Sequence, residues 1–193
     1  MVLTPSMMVN LGTPVPNFEL PDFNGNLVSS ADFVDAQGLL LAVICPHCPF
    51  VKHLRIGLAQ FARDYIERGL KIIAINANDT ATYPADGIDG MREEATQAGY
   101  TFPYLIDEKQ EVAKTLQAAC TPDFFLFNGI GKLVYRGQFD DSRPGGDTPI
   151  TGVDLRAAAD AVLAGHAVSS AQKASIGCSI KWKLGNKPDY FAS

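Results

Sequence analysis

The sequence predicts an α/β fold: a central mixed β-sheet flanked by helices, with an N-terminal β-hairpin extension. Three observations lead there. Residues 39–44 and 71–76 are short, nearly unbroken apolar runs, the pattern of strands buried on both faces. Stretches with helical spacing follow these runs, so strands alternate with helices and parallel pairing is implied. Late in the chain, apolar residues 124–127 and 133–136 flank Asn128-Gly129-Ile130-Gly131, which makes an antiparallel hairpin and renders the sheet mixed.

Each element has a local reason. Pro14, Pro16 and Pro21 keep the entry segment out of a helix and suit an extended edge. Asn24-Gly25 between apolar pairs is a hairpin signal, and Ser30 is placed to cap a short helical turn over residues 31–34. After the run at 39–44, apolar residues recur at Val51, Leu54, Leu58, Phe61 and Tyr65, one face of a helix that Gly69 would stop. Residues 79–87, with Pro84, read as a loop, and residues 88–98 as a helix closed by Gly99. Residues 102–106 form a short strand near an edge, because Pro103 removes a donor. Residues 109–119 are helical by composition, as are the alanine-rich residues 152–163. The last stretch, 166–193, has no usable period. A chain of 193 residues fits one domain, with a core over about 12–165 and a tail over 166–193.

Composition excludes several function classes. A net charge of −5 and a pI near 5.1 argue against nucleic acid, whose phosphates require clustered Lys and Arg. No apolar run approaches the ~20 residues that span a bilayer. The N-terminus lacks a basic start and a long apolar stretch, so a cytoplasmic location is expected. In a reducing compartment the four cysteines, Cys45, Cys48, Cys120 and Cys178, are read as redox or metal groups rather than permanent bridges.

Cys45-Pro46-His47-Cys48 lies where a buried strand meets a helix. A thiol acts as a nucleophile only as thiolate, and unpaired helix N-terminal amides favour that anion. Pro46 suits the first helical position. The expectation is an exposed Cys45 that attacks a substrate disulfide and a deeper Cys48 that resolves the mixed disulfide. His47, as imidazolium, would favour the Cys45 thiolate. Two plainer readings compete: half a zinc site, with His47, His53 and Cys120 at hand, or cysteines that merely pack.

These stretches resemble the thioredoxin-like superfamily, and more narrowly its AhpC/TSA-type, peroxiredoxin-like cytoplasmic members. The resemblance is carried by residues 12–18, by Cys45-Pro46-His47-Cys48-Pro49-Phe50-Val51-Lys52-His53, and by Ala119-Cys120-Thr121-Pro122-Asp123. Residues 135–143 and 175–183 extend it. It implies a thioredoxin-like fold whose Thr121-Pro122 is a cis-proline loop facing the cysteines and offering backbone to an extended peptide. It also implies thiol–disulfide exchange with protein substrates, fed by an upstream thiol reductant and needing no organic cofactor. The Pro-His dipeptide is that of the oxidant DsbA, so a potential above the thioredoxin value of about −270 mV is expected.

The sequence also departs from its relatives. Ile44 stands where thioredoxin has an aromatic residue, and residues 39–44 lack thioredoxin's buried aspartate. The peroxiredoxin pattern Pro-x-x-x-Thr-x-x-Cys would need Thr and Pro where Ala42 and Gly38 precede Cys45, or where Cys45 and Leu41 precede Cys48. Peroxide reduction through a Cys45 sulfenic acid, an antioxidant activity, is therefore the second choice; a redox-inactive interaction module is another. Cys120 and Cys178 are further redox candidates, with a Cys120–Cys178 bridge as one option. Arg136 and Arg143 are candidates to line the site, against a plain surface role. His53 is expected to be solvated, and His166 carries no signal.

Overall fold

The computed structural model describes residues 3–191. Its centre is a five-stranded mixed sheet. Gly38–Val43 (β4) and Leu70–Asn76 (β5) are the two apolar runs, and they pair in parallel, as do β5 and Tyr104–Ile106 (β6). Asp123–Asn128 (β8) runs antiparallel to β4, and Leu133–Gly137 (β9) antiparallel to β8, giving the order β6-β5-β4-β8-β9. This is the central mixed sheet the sequence predicts, with β6 at an edge.

Because side chains alternate along a strand, β4 feeds two cores. Leu40, Ala42 and Ile44 join Phe124 and Leu126 on one face, against Pro49–Ile66 (α1), Ile88–Ala98 (α2) and Val153–Leu163 (α4). Leu39, Leu41 and Val43 join Phe125 and Phe127 on the other, against Glu111–Thr115 (α3). Burying a large apolar side chain contributes roughly 1.5–3 kcal/mol, so these two layers hold the sheet that positions the site.

Two small sheets flank the large one. Glu19–Pro21 (β2) and Leu27–Ser29 (β3) form the expected hairpin, with Asp22 accepting from the Asn24 and Asn26 amides in its turn. The cap of the following 3-10 turn is Ser29, one residue earlier than expected: its hydroxyl accepts from the Ala31 amide while its own amide donates to the Asp32 carboxylate. Ser30 instead accepts from the Phe18 amide, which ties the entry segment down.

The helix expected over residues 109–119 is a correction. Only Glu111–Thr115 is helical, because Gln110 and Gln117 adopt left-handed backbone at φ 63° and 52°. Gln110 is held there by bonds from its buried amide group to the Ala77 and Lys181 carbonyls. The early stop lets the chain turn into Cys120–Thr121 (β7). There it meets Ile176–Ser179 (β10), from the tail without a usable period, and β10 also pairs with Leu3–Pro5 (β1). The order of this second sheet is β1-β10-β7, all antiparallel. No helix among the described residues is long and apolar enough to cross a membrane.

Candidate redox site at the start of α1

The chain leaves β4 at Val43, and Ile44 donates its amide to the Ile75 carbonyl (3.0 Å). Residues 45–48 form a turn, closed by a bond from the Cys48 amide to the Cys45 carbonyl (3.4 Å). Cys48 has extended backbone and caps α1, whose first residue is Pro49. Pro46 therefore does not open the helix as expected; Pro49 does. Both offer a proline without an amide, and the turn at Pro46-His47 delays the helix by one turn.

The two sulfurs meet one residue of the opposite loop. Cys45 Sγ lies 3.4 Å from the Thr121 hydroxyl, and Cys48 Sγ 3.1 Å from the Thr121 carbonyl oxygen. The Thr121-Pro122 bond is cis, as the resemblance implies. Cys45 and Cys48 are both 0% exposed, so the expected exposed Cys45 is also corrected: β10 and the cis-proline loop close over both sulfurs.

The thiol charges also depart from expectation. The Cys48 thiol is pushed down to about 5, with the Cys45 thiol beside it the largest cause, and Thr121, Cys178 and the Val51 amide adding to it against burial. The Thr121 carbonyl pulls the other way, since it accepts only from a protonated thiol. Several donors outweigh that one acceptor. The Cys45 thiol is driven well above its ordinary range, first by the Cys48 thiol beside it, then by burial and by the Asp86 carboxylate. The two thiols are thus driven in opposite directions, Cys48 down and Cys45 up.

Asp86 is a residue the sequence reading missed. It is fully buried and fixes the turn, accepting from the His47 amide (3.0 Å) and meeting His47 Nδ1 with its other oxygen. Asn78 donates to the same carboxylate (2.8 Å) and Asn76 to the Asp86 carbonyl (2.6 Å). Nothing in the loop around Pro84 distinguishes this aspartate from Asp79 or Asp89; only the fold brings it under His47.

The remaining candidates divide. Cys178 lies opposite Thr121 in the β7–β10 ladder, with its sulfur 3.1 Å from Cys48 Sγ. Its thiol is pushed up to about 12 by burial and by Cys48. Cys120, one residue before Thr121, aims its sulfur at the Pro122 carbonyl (3.7 Å), and burial pushes its thiol well up. All four cysteines are free thiols, so the Cys120–Cys178 bridge is not formed: Cys120 faces Ser179 in register, while Cys178 faces the site.

Arg136 bonds to the Val9 carbonyl and Gln172, and Arg143 to Gln138 and the Asp140 and Ser142 carbonyls; neither bonds to the cysteines. His53 is half-buried and meets the Ser142 hydroxyl at 3.1 Å, and His166 is exposed. Among the described residues, one trio has ligand-type atoms within 4.8 Å of one another: Cys45, His47 and Asp86. The expected zinc partners Cys120 and His53 are not in it, and His47 Nδ1 is already engaged by Asp86.

Comparison with known proteins turns on the stretch that builds this site. Residues 11–136 match the model of the AhpC/TSA family. The chain belongs to that family. It is 24% identical over 127 residues to the thiol-disulfide oxidoreductase ResA of Halalkalibacterium halodurans, covering 66% of this chain and 68% of that protein. It is also 24% identical over 116 residues to the 1-Cys peroxiredoxin PER1 of Zea mays, covering 56% of this chain and half of that protein. Among solved structures, a hypothetical protein from Sinorhizobium meliloti 1021 is 50% identical, with a TM-score of 0.92 over 94% of this chain and all of its own. The thioredoxin domain of a Bacteroides vulgatus thiol-disulfide oxidoreductase shares the fold at 15% identity, with a TM-score of 0.59 over 77% of this chain and 96% of its own. The fold of this AhpC/TSA member is thioredoxin-like, and its relatives are thiol-disulfide oxidoreductases and peroxiredoxins, a redox class of enzyme.

Proposed function

We propose that the chain is a thiol–disulfide oxidoreductase that exchanges Cys45 and Cys48 with disulfides and thiols of protein substrates and is recharged by an upstream thiol reductant. The observation that carries this reading is a single Thr121 touching both sulfurs, at 3.4 and 3.1 Å. In the forward direction Cys48 thiolate attacks a substrate disulfide and one substrate thiolate leaves. Cys45 then attacks the Cys48 sulfur, its proton passes to the second leaving thiolate, and a Cys45–Cys48 disulfide remains. This order reverses the one expected from sequence, because the helix start serves Cys48. His47 and Asp86 hold the turn, and Thr121 and Pro122 form the opposing wall.

Peroxide reduction is a second reading. An acidic thiol at the start of a helix, where Cys48 stands, is what an attack on peroxide oxygen requires, and one relative is named a peroxiredoxin. Against it, Arg136 and Arg143 are bonded away from the sulfurs. Assays of insulin-disulfide reduction and of peroxide consumption, run side by side on wild type, Cys45→Ser and Cys48→Ser, separate the readings. Insulin reduction lost in Cys48→Ser is expected; peroxide turnover without insulin reduction would overturn the first reading in favour of the second.

A further inference from the structure

The third sulfur at the site belongs to β10. Gly177 sets its approach: a Cβ built there would stand 2.0 Å from the Thr121 carbonyl oxygen, so only glycine lets β10 lie this close to β7. Cys178, the next residue, is registered directly on Thr121, and its Sγ is 3.1 Å from Cys48 Sγ. Lys181 fastens the strand beyond it, donating its amide to Asn78 and accepting from the Asp79 amide. Ser175 fastens it before, through the Gly137 and Ser6 backbones. A disulfide needs the sulfurs at about 2.05 Å, roughly 1 Å closer than they stand. The edge of β7, where an extended peptide is expected to pair, is thus filled by the chain's own strand, with a cysteine at the reacting sulfur.

We propose that Cys178 is a third redox thiol, an internal partner that resolves mixed disulfides on Cys48 and stores the oxidation as a Cys48–Cys178 bond. The inference rests on the exchange reading above and adds a residue to it. The steps balance. Cys48 thiolate attacks a disulfide RSSR; the R–S–S–R bond breaks, Cys48–S–S–R forms, and RS⁻ leaves and takes a proton from water. Cys178 Sγ then attacks Cys48 Sγ; the bond to R breaks and the second RS⁻ leaves with the Cys178 proton. The protein has lost two electrons, RSSR has become two RSH, and Cys45 is still a free thiol.

The test uses oxidised glutathione as RSSR on the full chain. In Cys45→Ser, three thiols remain: Cys48, Cys120 and Cys178. The expected result is loss of two of them, no retained glutathione, and a Cys48–Cys178 crosslink in non-reducing peptide mass spectrometry. Adding Cys178→Ala should slow clearance of the glutathione adduct at least tenfold. A glutathione adduct that stays on Cys48 of Cys45→Ser with Cys178 still free overturns the role of Cys178. If wild type meanwhile forms a Cys45–Cys48 crosslink, the exchange reading survives that result; a wild type that forms no intramolecular disulfide at all defeats both. Cys45→Ala, run in parallel, must give the same crosslink, so a packing fault peculiar to serine cannot decide the outcome.

Discussion

Cys45, at the end of a strand, and Cys48, at the start of a helix, are equally buried and touch the same threonine, yet their thiols are driven in opposite directions. Burial alone would raise both. The difference lies in the donors. Cys48 faces the α1 amide at Val51 and the thiols of Cys45 and Cys178; Cys45 faces the Asp86 carboxylate across the turn. A Cys-x-x-Cys pair is therefore not made asymmetric by its spacing. The largest cause on each side is the other thiol, and the Val51 amide then adds to the fall of Cys48 and the Asp86 carboxylate to the rise of Cys45.

The most direct way to break that comparison is to remove the acidic member. Cys48→Ser should lower disulfide reduction on the order of a thousandfold or more, and should abolish alkylation by iodoacetamide at pH 6, where thiolate is scarce elsewhere. Cys45→Ser, kept reduced, should retain an alkylatable thiol at that pH. If instead Cys45→Ser loses the acidic thiol and Cys48→Ser keeps it, the assignment of the anion is reversed.

A smaller effect is expected from lifting the strand whose Cys178 packs on the Cys48 sulfur. Gly177→Ala forces a methyl group into the Thr121 carbonyl, 2.0 Å away, and overpacking of this kind costs about 1–3 kcal/mol. Because β10 is fastened on both sides of Gly177, the strain should displace it locally. Alkylation of Cys48 at neutral pH should then rise about tenfold or more. An unchanged alkylation rate with a lowered midpoint in urea would mean that β10 does not gate the site.

Asp86→Asn sharpens the contrast from the other side. It removes the charge that disfavours the Cys45 thiolate while leaving an amide that can still accept from the His47 backbone. The Cys45 thiol should become more acidic, and a fall of one unit would raise its alkylation at neutral pH about tenfold. The measurement is a pH–rate profile in a Cys48→Ser background, where the Cys48 thiol no longer acts on Cys45. No change in that profile would remove Asp86 from the account.

Much of this site is legible along the chain because its causes are local. The apolar run that becomes β4, the Cys45-Pro46-His47-Cys48 turn and the helical spacing from Val51 are each set by neighbours in sequence. The order of parallel and antiparallel strands follows for the same reason. What was not legible is what contacts bring from afar. Asp86 reaches His47 across 39 residues, and Cys178 reaches Cys48 across 130. The tail shows no period because β10 is only four residues long and is specified by its two partners, β1 and β7, rather than by its own alternation. Residues 109–119 misled for the converse reason: their composition is helical, but Gln110 is taken out of the helix by carbonyls of two distant segments.

The mildest test concerns protons rather than sulfur. Asp123 stands opposite Val43 in the β4–β8 ladder, two residues short of Cys45, and is fully buried. Burial pushes its carboxyl up to about 8, against a bond from the Ser6 hydroxyl, and its other oxygen has no partner. Glu94 is pushed up to about 7 by burial as well. In both cases the folded state keeps a proton that the unfolded chain releases near pH 4, so each subtracts stability as the pH rises from about 4 to its folded value. Cys48 does the opposite: its depressed thiol adds stability between about pH 5 and 9. The helix start and the strand end thus pull the pH profile apart, and the net slope is their difference. Asp123→Asn cancels one side alone. Between pH 5 and 8 the variant should gain stability relative to its parent by more than about 1.4 kcal/mol, the equivalent of a single pH unit, as read from urea melts at the two values. A parent and variant whose stabilities run parallel over that range would mean that Asp123 is ionised inside the fold, and that the strand end holds its charge as readily as Cys48 does.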